Sequence, residues 1–388
     1  YDIKYPGEER QAGRPLRVSP AYQRHVALDA SFGEKGGWER VNWYDSNAAG
    51  GDESLRPRGW AGENWSPATE VEARAAREGI ALFDQSSFSK LEVLGPGALA
   101  FLEGLCANRI DKPVGTIVYT QLLNARGGIE ADLSVTRRGD DRFMLVTGTA
   151  FGTHDRAWLE RNMPRDGSVY VNDLTGALAC LCLWGPKVRE VLDFDHPYMQ
   201  SREVTVGDVP CIASRVTYVG ELGWELYCPA EYGATLWDTL SVDGVTPGGY
   251  RAIESLRLEK GYRAWGSDLT AETTPLEAGL GFAVKMDKEF IGRDALGEPQ
   301  QRLVCIVLDD PRAVALGSEP VRSGDRIVGR VTSGGYGYAV GASIVFAYVP
   351  VEHAAVGTTV AVDIFGDWVD GEIRADPLYD PKGDRVRA

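Results

Sequence analysis

The chain has 388 residues, 44% of them hydrophobic, and a formal net charge of −15. This length predicts two or three domains, because a single hydrophobic core rarely grows beyond about 250–300 residues. The acidic balance argues against nucleic acid or anionic membranes as partners, since both need basic patches, and no apolar run approaches the ~18 residues of a membrane span.

Residues 1–65 are rich in Gly, Arg, Trp and Pro and show little periodicity. The stretches G-G-W-E-R-V-N-W-Y (Gly36 to Tyr44) and R-G-W (Arg58 to Trp60) favour an extended, aromatic-anchored segment that packs on a larger body. The opening Y-D-I-K-Y-P has no start-like leader, so the chain is expected to be a fragment or to be incompletely ordered there.

A helix, a strand and a second helix are predicted next. Ser66 and Pro67 supply an N-cap and a first-turn proline for a helix that runs to about Gly79. A strand then covers residues 90–94, and the apolar spacing after Gly95-Pro96 predicts another helix.

Residues 119–148 predict three short antiparallel strands, with turns at residues 124–128 and 138–141. In the middle strand apolar and polar residues alternate, so that Asp132 shares one face with Glu130 and Ser134. A carboxylate among small polar groups on an otherwise buried hairpin suits a site. The alternative, which the spacing alone favours, is that this face simply meets water.

An internal repeat links two parts of the chain. The pattern L-E-V-L-G-P (Leu91 to Pro96) recurs 90 residues later as L-C-L-W-G-P (Leu181 to Pro186). Each copy is followed by a leucine at the same offset, Leu102 and Leu192. Two copies of a strand, a Gly-Pro pair and a helix predict two similar lobes that face one another.

The second lobe is predicted to hold further strands and a helix over residues 230–240. In Y-V-G-E-L-G-W-E-L-Y (Tyr218 to Tyr227), alternation places Glu225 on one face with Tyr227. A carboxylate beside aromatic rings suits a flat heterocycle with N–H donors, because the oxygens accept hydrogen bonds while the rings stack. The alternative is a glutamate at a strand edge in water.

A long helix is predicted over residues 251–260, with Gly261 as its C-cap glycine. Its charged residues Arg257, Glu259 and Lys260 are expected to form a solvated face. Tyr262 and Trp265, just beyond the helix, could instead close a cleft.

A composition shift near residues 296–301 marks a domain boundary. It separates a main domain at residues 66–296 from a last domain at residues 297–388. The last domain consists of short β segments broken by Gly, Pro and Asp. Regular spacing with turn signals predicts a small β-barrel or sandwich.

Several common site chemistries find no support in the sequence. The run G-G-Y-G-Y-A-V-G (Gly334 to Gly341) lies among β segments and therefore lacks the context of a dinucleotide-binding turn. The four histidines are isolated and the six cysteines are scattered, so we expect no metal site. Reduced, buried thiols indicate the cytoplasm or another reducing compartment such as the mitochondrial matrix.

The sequence resembles the folate-binding aminomethyltransferase superfamily, typified by the T-protein of the glycine cleavage system. The motifs that carry the resemblance are L-N-x-x-G-G-x-x-x-D-L-x-V (Leu123 to Val135), G-E-x-G-W-E-L (Gly220 to Leu226), S-L-R-L-E-K-G (Ser255 to Gly261), P-L-E-A-G-L (Pro275 to Leu280), F-I-G-R (Phe290 to Arg293) and V-T-S-G (Val331 to Gly334). Residues 1–65 and F-D-Q-S-S-F-S-K (Phe83 to Lys90) are more similar to the C-terminal half of dimethylglycine and sarcosine dehydrogenases and oxidases.

The resemblance implies an α+β fold: two similar α/β lobes plus a C-terminal β-barrel-like domain around a central folate channel. Asp132 falls on the family's catalytic aspartate, whose implied role is to activate the folate amine. Glu225 falls on the glutamate that pairs with the pterin N–H groups.

Further residues are implied as contacts with the folate. Leu226 and Tyr227 continue the contact made by Glu225, and Tyr119, Ser134 and Val146 lie on the walls formed by the hairpin. Trp265 stands where the glycine-cleavage enzyme has a tyrosine, which implies a stacking role. Ile253 stands where that enzyme has an arginine, which counts against a glycine-cleavage assignment.

The resemblance implies tetrahydrofolate-dependent capture of the one-carbon unit from oxidative demethylation of an N-methylglycine-type amine, giving 5,10-methylenetetrahydrofolate. FAD is implied only if an upstream domain or a partner flavoprotein supplies it. Two alternatives stay open: a standalone demethylase that gives 5-methyltetrahydrofolate, and a non-catalytic folate-binding module.

Overall fold

Two β-sheets and a closed β-barrel carry the fold in the computed structural model, which describes residues 5–388. Helices cover the sheets, so the predicted α+β class with two lobes and a C-terminal barrel is confirmed. No helix among the described residues is long and apolar enough to cross a membrane.

The N-terminal part of the chain contains a helix and a hairpin that the sequence analysis did not predict. Helix α1 (Tyr22–Ala27) precedes the antiparallel strands β1 (Ala30–Lys35) and β2 (Trp38–Tyr44). Gly36 and Gly37 form the turn between them with φ of 58° and 83°, the left-handed conformation that a two-residue hairpin turn requires. The Gly-Gly pair was therefore a usable turn signal.

The first lobe follows helix α2 (Ala68–Glu78) and strand β3 (Ile80–Asp84). Its sheet has five strands in the spatial order β5-β6-β7-β4-β8. The elements are β4 (Ser89–Leu94), α3 (Ala98–Leu105), β5 (Ile117–Leu123), β6 (Ile129–Gly139), β7 (Arg142–Thr147), α4 (Gly152–Asn162) and β8 (Tyr170–Asp173). The three antiparallel strands expected over residues 119–148 are β5, β6 and β7.

The second lobe has a six-stranded sheet in the spatial order β10-β11-β12-β9-β3-β13. Its own elements are β9 (Leu178–Trp184), β10 (Ser201–Val206), β11 (Val209–Ser214), β12 (Gly223–Pro229), α5 (Gly233–Leu240), β13 (Val245–Gly248) and α6 (Tyr250–Glu259). Strand β3, from before the first lobe, lies between β9 and β13 and pairs with β13 in parallel.

The two sheets repeat one topology, as the internal repeat predicted. In the first, a three-strand meander returns so that β7 pairs with β4, and in the second β12 returns to β9 in the same way. Each opening strand ends at a glycine with positive φ. A Cβ at Gly95 would lie 2.4 Å from the Ser168 carbonyl oxygen, and one at Gly185 would lie 2.2 Å from that of Gly79, so only glycine fits either position.

The lobes meet through the inner faces of their sheets. The outer face of the first sheet packs on α3 and α4, and that of the second packs on α5. On the inner side, Val146 of β7 shares a buried cluster with Cys180 and Cys182 of β9 and Tyr227 of β12. The polar face of the hairpin therefore turns toward the other lobe.

The charged face of α6 is buried, so the expectation that water solvates it is wrong. Arg257, Glu259 and Lys260 are all buried. Glu259 pairs with Arg77 at 2.8 Å and Lys260 pairs with Asp380 at 2.7 Å. Partners distant in sequence cover this face, which a local pattern of charges cannot show.

The C-terminal domain is a six-stranded closed barrel in the spatial order β14-β17-β16-β15-β18-β19. Its elements are β14 (Gln301–Leu308), β15 (Pro320–Ser323), β16 (Arg326–Gly337), β17 (Ala342–Pro350), β18 (Thr359–Ile364), β19 (Asp367–Arg374) and helix α7 (Asp384–Arg387). Closure decides between the barrel and the sandwich that the spacing allowed. The short strand β15 was not predicted.

Candidate active site

Three of the predicted wall residues are direct neighbours across the first sheet. Tyr119 on β5 pairs with Ser134 on β6, and Ser134 pairs with Val146 on β7. Lys90 on β4 lies opposite Val146 and completes the row. Because directly paired residues project from the same face of a sheet, all four side chains line the inner face.

Asp132 lies two residues before Ser134 on β6 and faces the same way. Gln121 Nε2, from the paired position on β5, donates a hydrogen bond of 2.8 Å to Asp132 Oδ1. Burial raises the pKa of Asp132 to about 6, although hydrogen bonds from Tyr119 and Gln121 act to lower it. A carboxylate that titrates so near neutral pH can accept a proton from a bound amine.

Glu225 and Tyr227 project together from β12. The Tyr227 hydroxyl donates a hydrogen bond of 2.5 Å to Glu225 Oε2. Both side chains are buried, and burial raises the pKa of Glu225 to about 7, while the charge on Lys90 acts to lower it. Since Lys90 belongs to the first sheet, Glu225 faces the space between the lobes.

Leu226 points to the opposite side of the sheet. Its side chain is buried with Trp224, Leu236 and Trp237 in the core between the second sheet and α5. The structure therefore separates Leu226 from the other predicted site side chains, and only its backbone can reach a ligand on the inner face.

Trp265 is fixed beside the hairpin that carries Asp132. Its Nε1 donates a hydrogen bond of 2.9 Å to the Ile129 carbonyl oxygen. Its ring packs edge-to-face against Phe151 with centroids 4.5 Å apart, and it shares a cluster with Tyr119. Trp265 and Tyr119 therefore offer aromatic surface on the Asp132 side of the site.

The sequence analysis missed four polar groups near these residues: Lys90, Gln121, His154 and Asp155. Gln121 lies two residues after Tyr119 on the same face of β5 and pairs with Asp132 on β6. The pairing register of the predicted hairpin could therefore have revealed it. The charge on Asp155 acts on the pKa of Asp132 from α4, and His154 lies next to it. No local pattern signals those two residues, because their approach depends on how α4 folds back onto the sheet.

The set of hydrogen-bonding groups suits a flat heterocycle that donates N–H groups. Gln121 Oε1 is buried and has no hydrogen-bond partner within residues 5–388. Glu225 engages Tyr227 through Oε2 alone. Buried acceptors are normally paired, so a ligand with N–H donors would satisfy groups that the described chain leaves unused.

Two other features lie apart from this site. A cavity of about 870 Å³ is lined by residues of the N-terminal segment, by Trp43 and by Arg251, and none of the predicted site residues lines it. The six cysteines are free and buried. Across residues 5–388, no group of three or more His, Cys, Asp or Glu side chains is arranged to hold a metal ion.

Two family models match the chain and together cover most of it. The GCVT N-terminal domain matches residues 21–288, and the glycine cleavage T-protein C-terminal barrel domain matches residues 301–380. The chain belongs to the glycine cleavage T-protein family, the folate-dependent aminomethyltransferases. The resemblance expected from its motifs is confirmed.

Two longer relatives are similar to the chain along its whole length. It is 37% identical to 4-methylaminobutanoate oxidase (formaldehyde-forming) of Paenarthrobacter nicotinovorans, over 100% of this chain and 49% of the relative. It is 35% identical to mitochondrial dimethylglycine dehydrogenase of Rattus norvegicus, over 99% of this chain and 47% of the relative. The chain thus spans about half the length of these relatives.

A shorter relative matches along nearly its whole length. The aminomethyltransferase of Symbiobacterium thermophilum is 34% identical, over 94% of this chain and 97% of the relative. Among solved structures, glycine cleavage system aminomethyltransferase T from Bartonella henselae superposes with a TM-score of 0.83 at 27% identity. That match covers 94% of this chain and 98% of the solved one.

Proposed function

We propose that the chain transfers a one-carbon unit to tetrahydrofolate and forms 5,10-methylenetetrahydrofolate. The observation that carries the proposal is the environment of Asp132. Its carboxylate is largely withdrawn from water, is bonded by neutral donors, and has a pKa near 6 on the inner face of the lobes. It also occupies the aspartate position of the family motif.

Asp132 would act as the general base of the transfer. When bound, tetrahydrofolate would supply two amine nitrogens, each of which would lose a proton and gain a bond to the one-carbon unit. Asp132 would accept the proton from one of these nitrogens and could pass it to the leaving group, which is the oxygen of formaldehyde or the amine of an iminium donor. With formaldehyde, the two N–H protons and the oxygen would leave together as one water. Proton transfer of this kind contributes about 10²- to 10⁴-fold in rate.

Glu225 and the aromatic residues would orient the folate. The carboxylate of Glu225 is held by Tyr227 and is suited to accept N–H hydrogen bonds from the pterin ring. Tyr119, Ser134, Val146 and Trp265 would form the walls, and Leu226 would contribute its backbone. Confinement between the lobes would keep a reactive one-carbon species away from bulk water.

We further propose that the one-carbon unit arises by oxidation of a small methylated amine of the N-methylglycine type. The longer relatives bear the names of a formaldehyde-forming oxidase and of dimethylglycine dehydrogenase, which supports this substrate class. A flavoprotein domain or subunit outside this chain would hold the FAD and perform the oxidation. Six free thiols support a reducing compartment, the cytoplasm or the mitochondrial matrix.

The test combines folate binding with folate-dependent transfer. We expect calorimetry to detect tetrahydrofolate binding, and we expect the chain to accelerate 5,10-methylenetetrahydrofolate formation from formaldehyde above the spontaneous rate. Asp132→Asn should lower that acceleration by about 10²- to 10⁴-fold while leaving binding nearly unchanged. Absence of tetrahydrofolate binding would refute the proposal.

Product analysis separates the proposal from its alternatives. Formation of 5-methyltetrahydrofolate from a methylated amine would identify a standalone demethylase instead. Binding without any acceleration, in the wild type as in Asp132→Asn, would identify a non-catalytic folate-binding module.

A further inference from the structure

A buried carboxylate, Asp155, is hydrogen-bonded to the strand next to the one that carries Asp132: its partner Thr147 pairs with Leu133, the residue after Asp132. Asp155, in the first turn of α4, is 1% exposed. Thr147 Oγ1 donates a hydrogen bond of 2.7 Å to Asp155 Oδ2. Burial raises the pKa of Asp155, and its negative charge raises the pKa of Asp132. The two carboxylates therefore oppose each other's ionisation.

His154 connects Asp155 to the surface. His154 Nδ1 lies 3.0 Å from Asp155 Oδ1, and His154 Nε2 lies 3.2 Å from Glu130 Oε2. The imidazole is 45% exposed, whereas the carboxylates on either side are largely buried. Within residues 5–388, His154 is the only ion-pair partner of Asp155.

We propose that His154 and Asp155 are positioning residues for Asp132: the imidazole, by pairing with Asp155, controls how much negative charge acts on the reacting carboxylate from the α4 side of the sheet. The inference rests on the proposed role of Asp132 as base. The imidazole that pairs with Asp155 offsets the charge on that carboxylate, which favours the ionised Asp132 that accepts a proton. Without this partner the charge on Asp155 is uncompensated, which favours protonated Asp132.

The other polar groups around His154 and Asp155 make contacts of their own. Tyr119 and Gln121 on β5 act on Asp132 as hydrogen-bond partners. On β6, Glu130 acts on Asp155 as an anion and also accepts a hydrogen bond of 3.0 Å from Asn124. Thr147 on β7 is neutral. His154 is thus the group in this set that can offset the charge of Asp155 while it remains open to solvent.

Two substitutions should move Asp132 in opposite directions. Asp155→Asn removes the like charge, so transfer should persist to lower pH, by about one pH unit. His154→Gln removes the group that offsets the charge of Asp155, so the acid limb should move to higher pH. On acidification, transfer should be lost at a pH that is higher than in the wild type by a similar amount. A residue with a purely structural role would lower the rate or the stability without shifting the acid limb in opposite senses.

The experiment measures this shift in two ways. The first is the acid limb of the pH profile for tetrahydrofolate-dependent consumption of formaldehyde, corrected for the spontaneous reaction. The second is a ¹³C NMR titration of the Asp132 carboxyl without folate, with the signal assigned by Asp132→Asn. Glu160→Gln serves as the control, because Glu160 lies on the same helix and pairs with Arg156 at the surface.

Opposite shifts for the two variants, with none for Glu160→Gln, are the expected result. Shifts in the same direction, or unchanged carboxyl titration in both variants, would overturn the inference. A wild-type chain that titrates as described but shows no folate-dependent transfer would instead refute the proposed function, since the NMR titration does not depend on turnover. His154→Gln alters an exposed side chain, so the coupling remains testable even if Asp155→Asn fails to fold.

Discussion

Asp268 is fully withdrawn from water and Asp132 is largely so, yet their surroundings differ completely. Asp268 is fully buried and receives hydrogen bonds on both oxygens from Arg257, the Ala264 backbone, Thr332 and Ser333, at 2.5–2.9 Å. Those partners join α6 and the loop after it to strand β16 of the barrel. Asp132 has neutral donors and an anionic neighbour. Asp268, whose hydrogen-bonding capacity is filled, joins two domains. Asp132, whose hydrogen-bonding capacity is not filled, is free to exchange a proton.

The largest expected effect is on stability and comes from removing the Asp268 carboxylate. Asp268→Ala should lower the free energy of unfolding by about 3–5 kcal/mol, because buried Arg257 would lose one of its two carboxylate partners and the hydroxyls of Thr332 and Ser333 would lose this acceptor. Urea denaturation of the whole chain measures this change. Asp367→Ala, at an exposed position of the same barrel, should change it by less than about 0.5 kcal/mol. Equal losses in both variants would contradict the role assigned to Asp268.

A second test concerns the other inward-facing carboxylate, Glu225. Glu225→Ala should weaken tetrahydrofolate binding by about 1–3 kcal/mol, because a buried charge-assisted acceptor for the pterin would be lost. Calorimetry measures the change in Kd. Glu203→Ala is the control, since Glu203 lies in the same sheet with its side chain 82% exposed. Unchanged affinity in Glu225→Ala would remove Glu225 from the folate site.

The smallest expected effect is on stability in Asp132→Asn, and its sign is opposite to that expected for Asp268→Ala. Burial raises the pKa of Asp132 to about 6, above the usual value near 4 for an unfolded chain. The folded state therefore holds this proton more tightly, and stability from this group is present below pH 4 and lost as the pH rises to 6. At pH 8, Asp132→Asn should stabilise the chain by about 1–2 kcal/mol.

Denaturation at pH 8 and pH 5 checks this prediction. The gain from Asp132→Asn should shrink at the lower pH, because wild-type Asp132 is then largely protonated. A variant that is less stable than the wild type at pH 8 would show that Asp132 has structural partners after all, and the contrast with Asp268 would disappear.

Short-range patterns predicted the parts of the fold that depend on local chemistry. The alternation in β6 and the turn residues around Gly127 predicted the hairpin and the strand face that carries Asp132. The Gly-Pro repeat predicted the paired lobes, because Gly95 and Gly185 each occupy a position where no side chain fits. The same alternation indicates that the Leu226 side chain projects from the opposite face of β12 to that of Glu225, as the structure shows.

Contacts between distant segments could not be predicted in this way. The charged residues of α6 look solvated until Arg77, Asp268 and Asp380 are brought against them. The approach of Asp155 to Asp132, and of Lys90 to Glu225, depends on packing between elements that no periodicity links. The candidate site residues came from the family motifs, whereas their electrostatics came from the structure.

Strand β3 has a consequence for how the chain folds. Leu82 pairs with Leu183 on one side and with Pro247 on the other. Both partner strands follow the first lobe in the chain, so the second sheet is completed only across a loop that contains that whole lobe. Such long loops slow folding and leave strand edges exposed until the late partners arrive. The two copies of the repeated unit are therefore interlocked, and a fragment that starts at the second copy would lack the strand that joins β9 to β13.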